Sequence, residues 1–234
     1  RNLRTGGDMT VNCICKCDVA SSAKEARNKE LAELAERKKN SRIPSSLLEA
    51  EFCVIDDVKK RKNGINYVVN FDKISSSGLL LYGDVGTGKS YMAACIANAL
   101  LEQEVRVLMT NFATIINGMF SATDKIDYVN AICGYDLLII DDLGVESHSE
   151  YRMEGLFNVI DRRVRSGKPM IITTNLTMKE MDETQDLNEA RIYDRIRAVC
   201  QPVQVKGESQ RKVCRGRMME KFKDVFQKHK GEGD

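Results

Sequence analysis

Apolar residues in this chain follow two patterns. Four short runs are apolar at nearly every position: Leu79-Leu80-Leu81-Tyr82, Val105-Arg106-Val107-Leu108-Met109, Leu137-Leu138-Ile139-Ile140 and Met170-Ile171-Ile172-Thr173-Thr174. Runs of this length, apolar on both faces, predict strands buried inside a parallel sheet. Elsewhere the apolar positions recur every three or four residues. That spacing predicts helices over 89–101, 111–120, 127–133, 149–166 and 190–198. A last short strand is expected at 202–205 and a basic helix from about Gln210. Strands alternating with helices give an α/β fold, a parallel sheet sandwiched by helices, whose ligands bind at the C-terminal strand edge. No internal repeat is visible.

The N-terminal part reads differently. Residues 21–40 are rich in Ala, Glu, Lys, Leu and Arg, without Gly or Pro, and predict a charged helix with a narrow apolar face at Leu31, Leu34 and Ala35. It reads equally as a connector or partner-binding helix and as a plain solvated one. Pro44 ends it, and a domain boundary is expected at residues 41–46.

Composition narrows the picture only a little. With 234 residues the chain holds one full α/β domain and a short appendage. A hydrophobic fraction of 42% with 30% charged residues is that of an ordinary soluble protein, and a net charge of +2 does not by itself argue for nucleic acid. No apolar run reaches the length of a membrane span and no signal peptide is visible, so a cytoplasmic protein without membrane contact is expected. The chain starts at Arg1, which suggests a fragment or a missing N-terminus. Of eight cysteines, Cys53, Cys95, Cys133, Cys200 and Cys214 are scattered, as small buried hydrophobes would be in a reducing compartment. Cys13, Cys15 and Cys17 cluster at alternate positions. They fit a zinc site completed by upstream cysteines, or a strand remnant with incidental thiols.

Chemistry concentrates after the first apolar strand. Gly83-Asp84-Val85-Gly86-Thr87-Gly88-Lys89-Ser90 fits the phosphate-binding loop G-x-x-x-x-G-K-[ST] at every position, between a strand and a helix as such a loop must lie. The glycines let several N–H groups face one anion, and the following helix N-terminus adds positive potential. Lys89 is placed to reach the β- and γ-phosphates and Ser90 to hold Mg²⁺. The strand 137–140 ends in Asp141-Asp142: Asp141 suits the Mg²⁺ and Asp142 the attacking water. Thr173-Thr174-Asn175 ends the next strand, where the Asn175 amide can read the γ-phosphate, although Asn is also common turn chemistry. Arg191 and Arg195 share a helix face. They read as cations offered to a neighbouring subunit's nucleotide or as surface Arg–Asp pairs.

Taken together and in order, the phosphate loop, Ile-Ile-Asp-Asp-Leu-Gly, Thr-Thr-Asn, Arg-Ile-Tyr-Asp-Arg and Lys-Gly-Glu-Ser-Gln-Arg resemble the helicase-loader branch of the AAA+ ATPases, the DnaC, DnaI and IstB-like group. The match runs over about residues 42–215. The first two motifs are shared by many phosphate-loop ATPases, so the last two discriminate. The resemblance implies an α/β phosphate-loop NTPase of AAA+ type with a minimal or absent lid, since fewer than thirty residues follow Val205. It implies ATP or ADP with Mg²⁺ on Ser90 and Asp141, nucleotide contacts from 83–90, Tyr91, Arg191 and Arg211, and catalysis by Lys89, Asp141, Asp142, Asn175 and a trans-acting Arg195. Residues 42–52 would border the adenine. Residues 1–41 would be the remnant of a Cys-containing partner-binding region that contacts the helicase, with its charged linker helix, and 42–234 the ATPase domain.

The implied function is ATP-dependent loading of a hexameric replicative helicase onto single-stranded DNA, with slow, partner- or DNA-stimulated hydrolysis and self-association through Arg195. A basic stretch comprising Lys206, Arg211, Lys212, Arg215, Arg217, Lys221 and Lys223 would track DNA, or is a solvated helix. The alternative is an IstB-like transposition helper. A metabolite kinase and a non-hydrolysing scaffold are the remaining readings. Two departures stand out: Asp141-Asp142 where many AAA+ proteins carry Asp-Glu, and Gln210 where relatives often have an aromatic before the arginine.

Overall fold

A computed structural model describes residues 16–74, 76–144 and 150–207 of the chain. Five strands, β1 (Gly78–Tyr82), β2 (Val107–Asn111), β3 (Leu137–Leu143), β4 (Met170–Thr174) and β5 (Cys200–Gln204), form one sheet in the order β2-β3-β4-β1-β5. Every pairing is parallel.

The unbroken apolar runs have the expected cause: side chains alternate between two covered faces. Leu80, Leu108, Leu138, Ile140, Met170 and Ile172 join one core cluster. Leu79, Leu81, Val107, Met109, Leu137, Ile139 and Ile171 join the other. Helices α4 (Phe112–Ser121), α5 (Lys125–Cys133), α6 (Glu150–Arg165) and α8 (Leu187–Val199) cover the first face. The second is covered by α3 (Lys89–Glu102), whose fully buried Ala93, Ala94 and Ala97 let the helix lie close to the sheet, and by α2 (Val58–Val69) packed against α3.

Several boundaries differ from expectation for local reasons. Strand β2 begins at Val107 rather than 105, because Val105 N–H donates to the Leu100 carbonyl and closes the turn after α3. Helix α8 begins earlier, at Leu187, where the Asp186 carboxylate accepts from the Asn188 and Glu189 amides. Helix α1 (Lys16–Asn40) starts earlier than residue 21. Helices α2 and α7 (Met178–Glu183) were not expected at all.

Residues 41–50 belong to the second core cluster. Ser41, Ile43 and Ala50 are buried, and the Ser41 carbonyl accepts from Met109 N–H on β2. No described helix is long and apolar enough to cross a membrane. The expected basic C-terminal helix, any lid after Gly207, and residues 1–15 lie outside the described residues.

Candidate functional site

The phosphate loop leaves β1 and enters α3 as its sequence demands. Gly83, Gly86 and Gly88 all take positive φ (144°, 86° and 91°), a region costly for any side chain. A Cβ built on Gly88 meets nothing within 4 Å, so the loop encloses open space at the start of α3, where a phosphate group fits. Thr87 Oγ1 donates to the Asp84 carbonyl at 2.9 Å and braces the turn. From α2, Lys60 Nζ donates to the Thr87 carbonyl at 3.0 Å.

At the other side of the site, strand β3 departs from regular geometry. Its register against β4 shifts between Ile140 and Leu143, a bulge, and Asp142 sits at φ 60°. In a regular strand Asp141 and Asp142 would point to opposite faces of the sheet. The bulge turns both toward one cleft. Asp is among the few residues that adopt a left-handed conformation at moderate cost, which suits this position to Asp142.

A hydrogen-bonded chain joins the two halves. Lys89 Nζ donates to Asn175 Oδ1 at 2.7 Å, and Asn175 Nδ2 donates to Asp142 Oδ1 at 2.9 Å. Lys89 also donates to the Gly83 and Asp84 carbonyls at 2.7 and 2.8 Å, and is 6% exposed. Thr173 Oγ1 donates to Asp141 Oδ1 at 2.6 Å and accepts from Asp142 N–H at 2.8 Å, so one hydroxyl orients both acidic residues. Asn175 is positioned because β4 lies between β1 and β3, bringing its end between lysine and carboxylates.

These groups line one cleft of about 430 Å³ with Val85, Gly86, Gly88, Ser90, Tyr91, Pro44, Ser46 and Leu47. Of the sequence-predicted residues, Lys89, Ser90, Tyr91, Asp141, Asp142 and Asn175 therefore meet. Tyr91 takes further contacts from the N-terminal segment, its hydroxyl accepting from Glu51 N–H at 3.3 Å. Arg191 and Arg195 do not line the cleft: they stand on α8 over the ring of Phe157 on α6. Arg211, Cys13 and Cys15 lie outside the described residues, as does the Cys17 side chain. Among the described residues no group of three or more His, Cys, Asp and Glu is arranged to hold a metal ion, and zinc has no support there.

Thr173, Lys60 and Asp161 carry contacts that the sequence reading did not assign. Thr173 had a signal, the first of two hydroxyls that close an apolar strand just before Asn175. Lys60 was hidden in the run Lys59-Lys60-Arg61-Lys62, which reads as solvated charge.

A family model described as IstB-like ATP binding protein matches residues 23–217. The chain belongs to that family. Its IstB-like core is 37% identical over 136 residues to the replicative helicase loader DnaC of Escherichia coli strain K12, covering 56% of this chain and 54% of that protein. To the replicative helicase loader DnaI of Bacillus subtilis strain 168 it is 27% identical over 192 residues, 74% of this chain and 62% of the relative. The chain thus spans about half to three-fifths of the length of these relatives. Among solved structures, a crystal structure of DnaI superposes with TM-score 0.62 at 24% identity, covering 74% of this IstB-like chain and 98% of that one. The DnaC helicase loader gives 0.61 at 20% identity, covering 70% and 100%. These neighbours share the expected α/β phosphate-loop fold.

Proposed function

We propose that this IstB-like chain is the ATP-binding and ATP-hydrolysing part of a replicative helicase loader, acting in the cytoplasm. The observation that carries the reading is the single cleft in which Lys89, Asn175 and Asp142 are hydrogen-bonded in series beside Ser90 and Asp141. Bound ATP with Mg²⁺ supplies the phosphoanhydride to be cleaved and the cation that neutralises its charge. Lys89 gives up its carbonyl and Asn175 partners to take the β- and γ-phosphates. Ser90 and Asp141 would hold the metal. Asp142, oriented by Asn175, polarises the attacking water, and the Thr173 hydroxyl ties the Asp141 carboxylate to the backbone amide of Asp142.

Arg195 completes the site of a neighbouring subunit, with Arg191 in support and Arg211 as a second arginine in cis. The partner is a hexameric helicase, and the names borne by the DnaC and DnaI relatives support its being a replicative one. Residues 1–41 serve as the partner-binding region and linker, and 42–234 as the ATPase domain. Single-stranded DNA is bound through the basic C-terminal stretch.

Steady-state phosphate release by the wild type against Lys89→Ala tests the enzyme. Equal background rates would reduce it to a scaffold. Co-purification with a hexameric helicase, and ATP-linked binding to single-stranded DNA across a salt series, test the loading role; no ATP-linked affinity and no salt slope would remove the DNA part. The second reading is an IstB-like transposition helper, which would share the IstB-like core. Capture of a transposase in place of the helicase would select it.

A further inference from the structure

Beyond the cleft, the helix pair α6–α8 carries an arrangement of charge that ordinary surface pairing does not explain. Arg191 and Arg195 lie with their guanidinium carbons 4.5 and 4.9 Å from the centre of one ring, Phe157. Two cations on one ring repel each other, and a ring rewards such stacking by only about 0.5–2 kcal/mol per cation. The offset comes from Asp161, one helical turn beyond Phe157 on α6. Its Oδ1 lies 2.7 Å from Arg195 Nη1, and its Oδ2 lies 2.8 Å from Arg165 Nε.

Exposure grades along this set. The Asp161 side chain is 16% exposed, Arg195 33% and Arg165 75%. The carboxylate is therefore an inner fixed point, while Arg195 reaches the rim. The Arg195–Asp161 contact is a close ion pair whose carboxylate is largely buried while the guanidinium stays one-third exposed, so the group is held in place with part of its planar fork at the surface.

We propose that Asp161 and Phe157 are positioning residues for Arg195: the ring sets the plane of the guanidinium, the carboxylate sets its direction and cancels its repulsion from Arg191, and the remaining donors face outward to a phosphate anion. This rests on the reading that Arg195 serves the nucleotide of a second copy of the chain. That anion is the terminal phosphate of a nucleoside triphosphate held by the neighbour's Lys89 loop. Neither positioning residue touches the chain's own cleft, whose lining excludes them. Their effect is therefore confined to the subunit that offers Arg195.

That confinement gives a test no merely structural role would pass. Lys89→Ala chains keep Arg195 but lose their own site, and Arg195→Ala chains keep a site but lack the arginine. Mixing the two restores turnover only at contacts where an Arg195→Ala site meets a Lys89→Ala arginine, read as single-turnover phosphate release with protein in excess. Adding Asp161→Asn to the Lys89→Ala chain is expected to lower the restored turnover roughly tenfold or more, the scale of a misplaced catalytic group. Adding it to the Arg195→Ala chain is expected to leave the restored turnover unchanged. Phe157→Leu, which keeps apolar volume but removes the ring face, should follow the same chain dependence with a smaller loss. Equal losses on both chains, or no loss on either, would overturn the positioning role. No restored turnover in the parent mixture would instead overturn the trans reading of Arg195 beneath it.

Discussion

Two buried cations stand at opposite ends of the sheet, and they are held on opposite terms. At the N-terminal strand ends, Arg163 is fully buried. Its guanidinium donates to the carbonyls of Cys133, Tyr135 and Asp136 at 2.6–2.9 Å, and through Nε to Pro169 at 3.1 Å. A planar fork with five fixed donors suits such a set, tying the end of α5 to the starts of β3 and β4. Burial pulls its pKa down to about 10, which still leaves it charged at neutral pH. At the C-terminal ends, Lys89 holds two loop carbonyls and one amide oxygen. An ammonium is a point charge with rotatable donors, and it can exchange these partners for phosphate oxygens. One cation closes the structure; the other keeps a site ready.

The largest expected effect breaks the closed end. Arg163→Met should strand four carbonyls, two buried and two partly buried, and cost about 3–5 kcal/mol in chemical denaturation, each orphaned acceptor carrying its own desolvation penalty. Lys89→Ala should leave the denaturation midpoint within about 1 kcal/mol of wild type while phosphate release falls by roughly a hundredfold or more. If Lys89→Ala proves as destabilising as Arg163→Met, the contrast between the two ends fails.

A finer cut separates backbone from carboxylate at Asp142. Asp142→Asn keeps a residue type that tolerates φ 60° and should abolish turnover with little change in stability. Asp142→Val should add roughly 1–2 kcal/mol of backbone strain to the same loss of turnover. Denaturation and phosphate release on the two variants distinguish these terms.

The smallest effect lies at the closed end again. Asp136 accepts from Arg106 Nη2 at 2.9 Å and has Lys168 at 3.5 Å, and the Arg106 hydrogen bonds hold its pKa below the ordinary carboxylate value. Because the folded value is lowered, its contribution is complete above the ordinary carboxylate pKa and fades as pH falls through the lowered one. Asp136→Asn should flatten that acid limb of a stability-against-pH curve by no more than about 1 kcal/mol, as befits a half-exposed pair.

The strands and the nucleotide motifs were legible because both are local. An apolar run buried on two faces looks the same wherever it lies, and a phosphate loop carries its glycines in fixed places. The bulge at Asp142 was not legible, since it shows only as a slip between β3 and β4. Arg163 was hidden for a related reason. Beside Arg162 and Arg165 on an amphipathic helix it reads as surface charge, and only the convergence of three chain ends around it makes burial affordable. Helix α2 was missed because its basic first turn and internal Gly64 resemble a loop. The glycine is there because a Cβ would stand 2.4 Å from the Phe52 ring.

Helix α3 opens with Lys89 and closes at Glu102, and in its last turn the Leu101 carbonyl accepts from Arg37 Nε of α1 at 3.1 Å. The rod that carries the cleft lysine at one end thus grips a second rod at the other. Helix α1 has 25 residues, about 37 Å of rise, so a tilt of about 5° at that joint displaces its far end by roughly 3 Å. With most of its described side chains in solvent, α1 has the proportions of a pointer on a gauge, its pivot set beside the helix that carries Lys89.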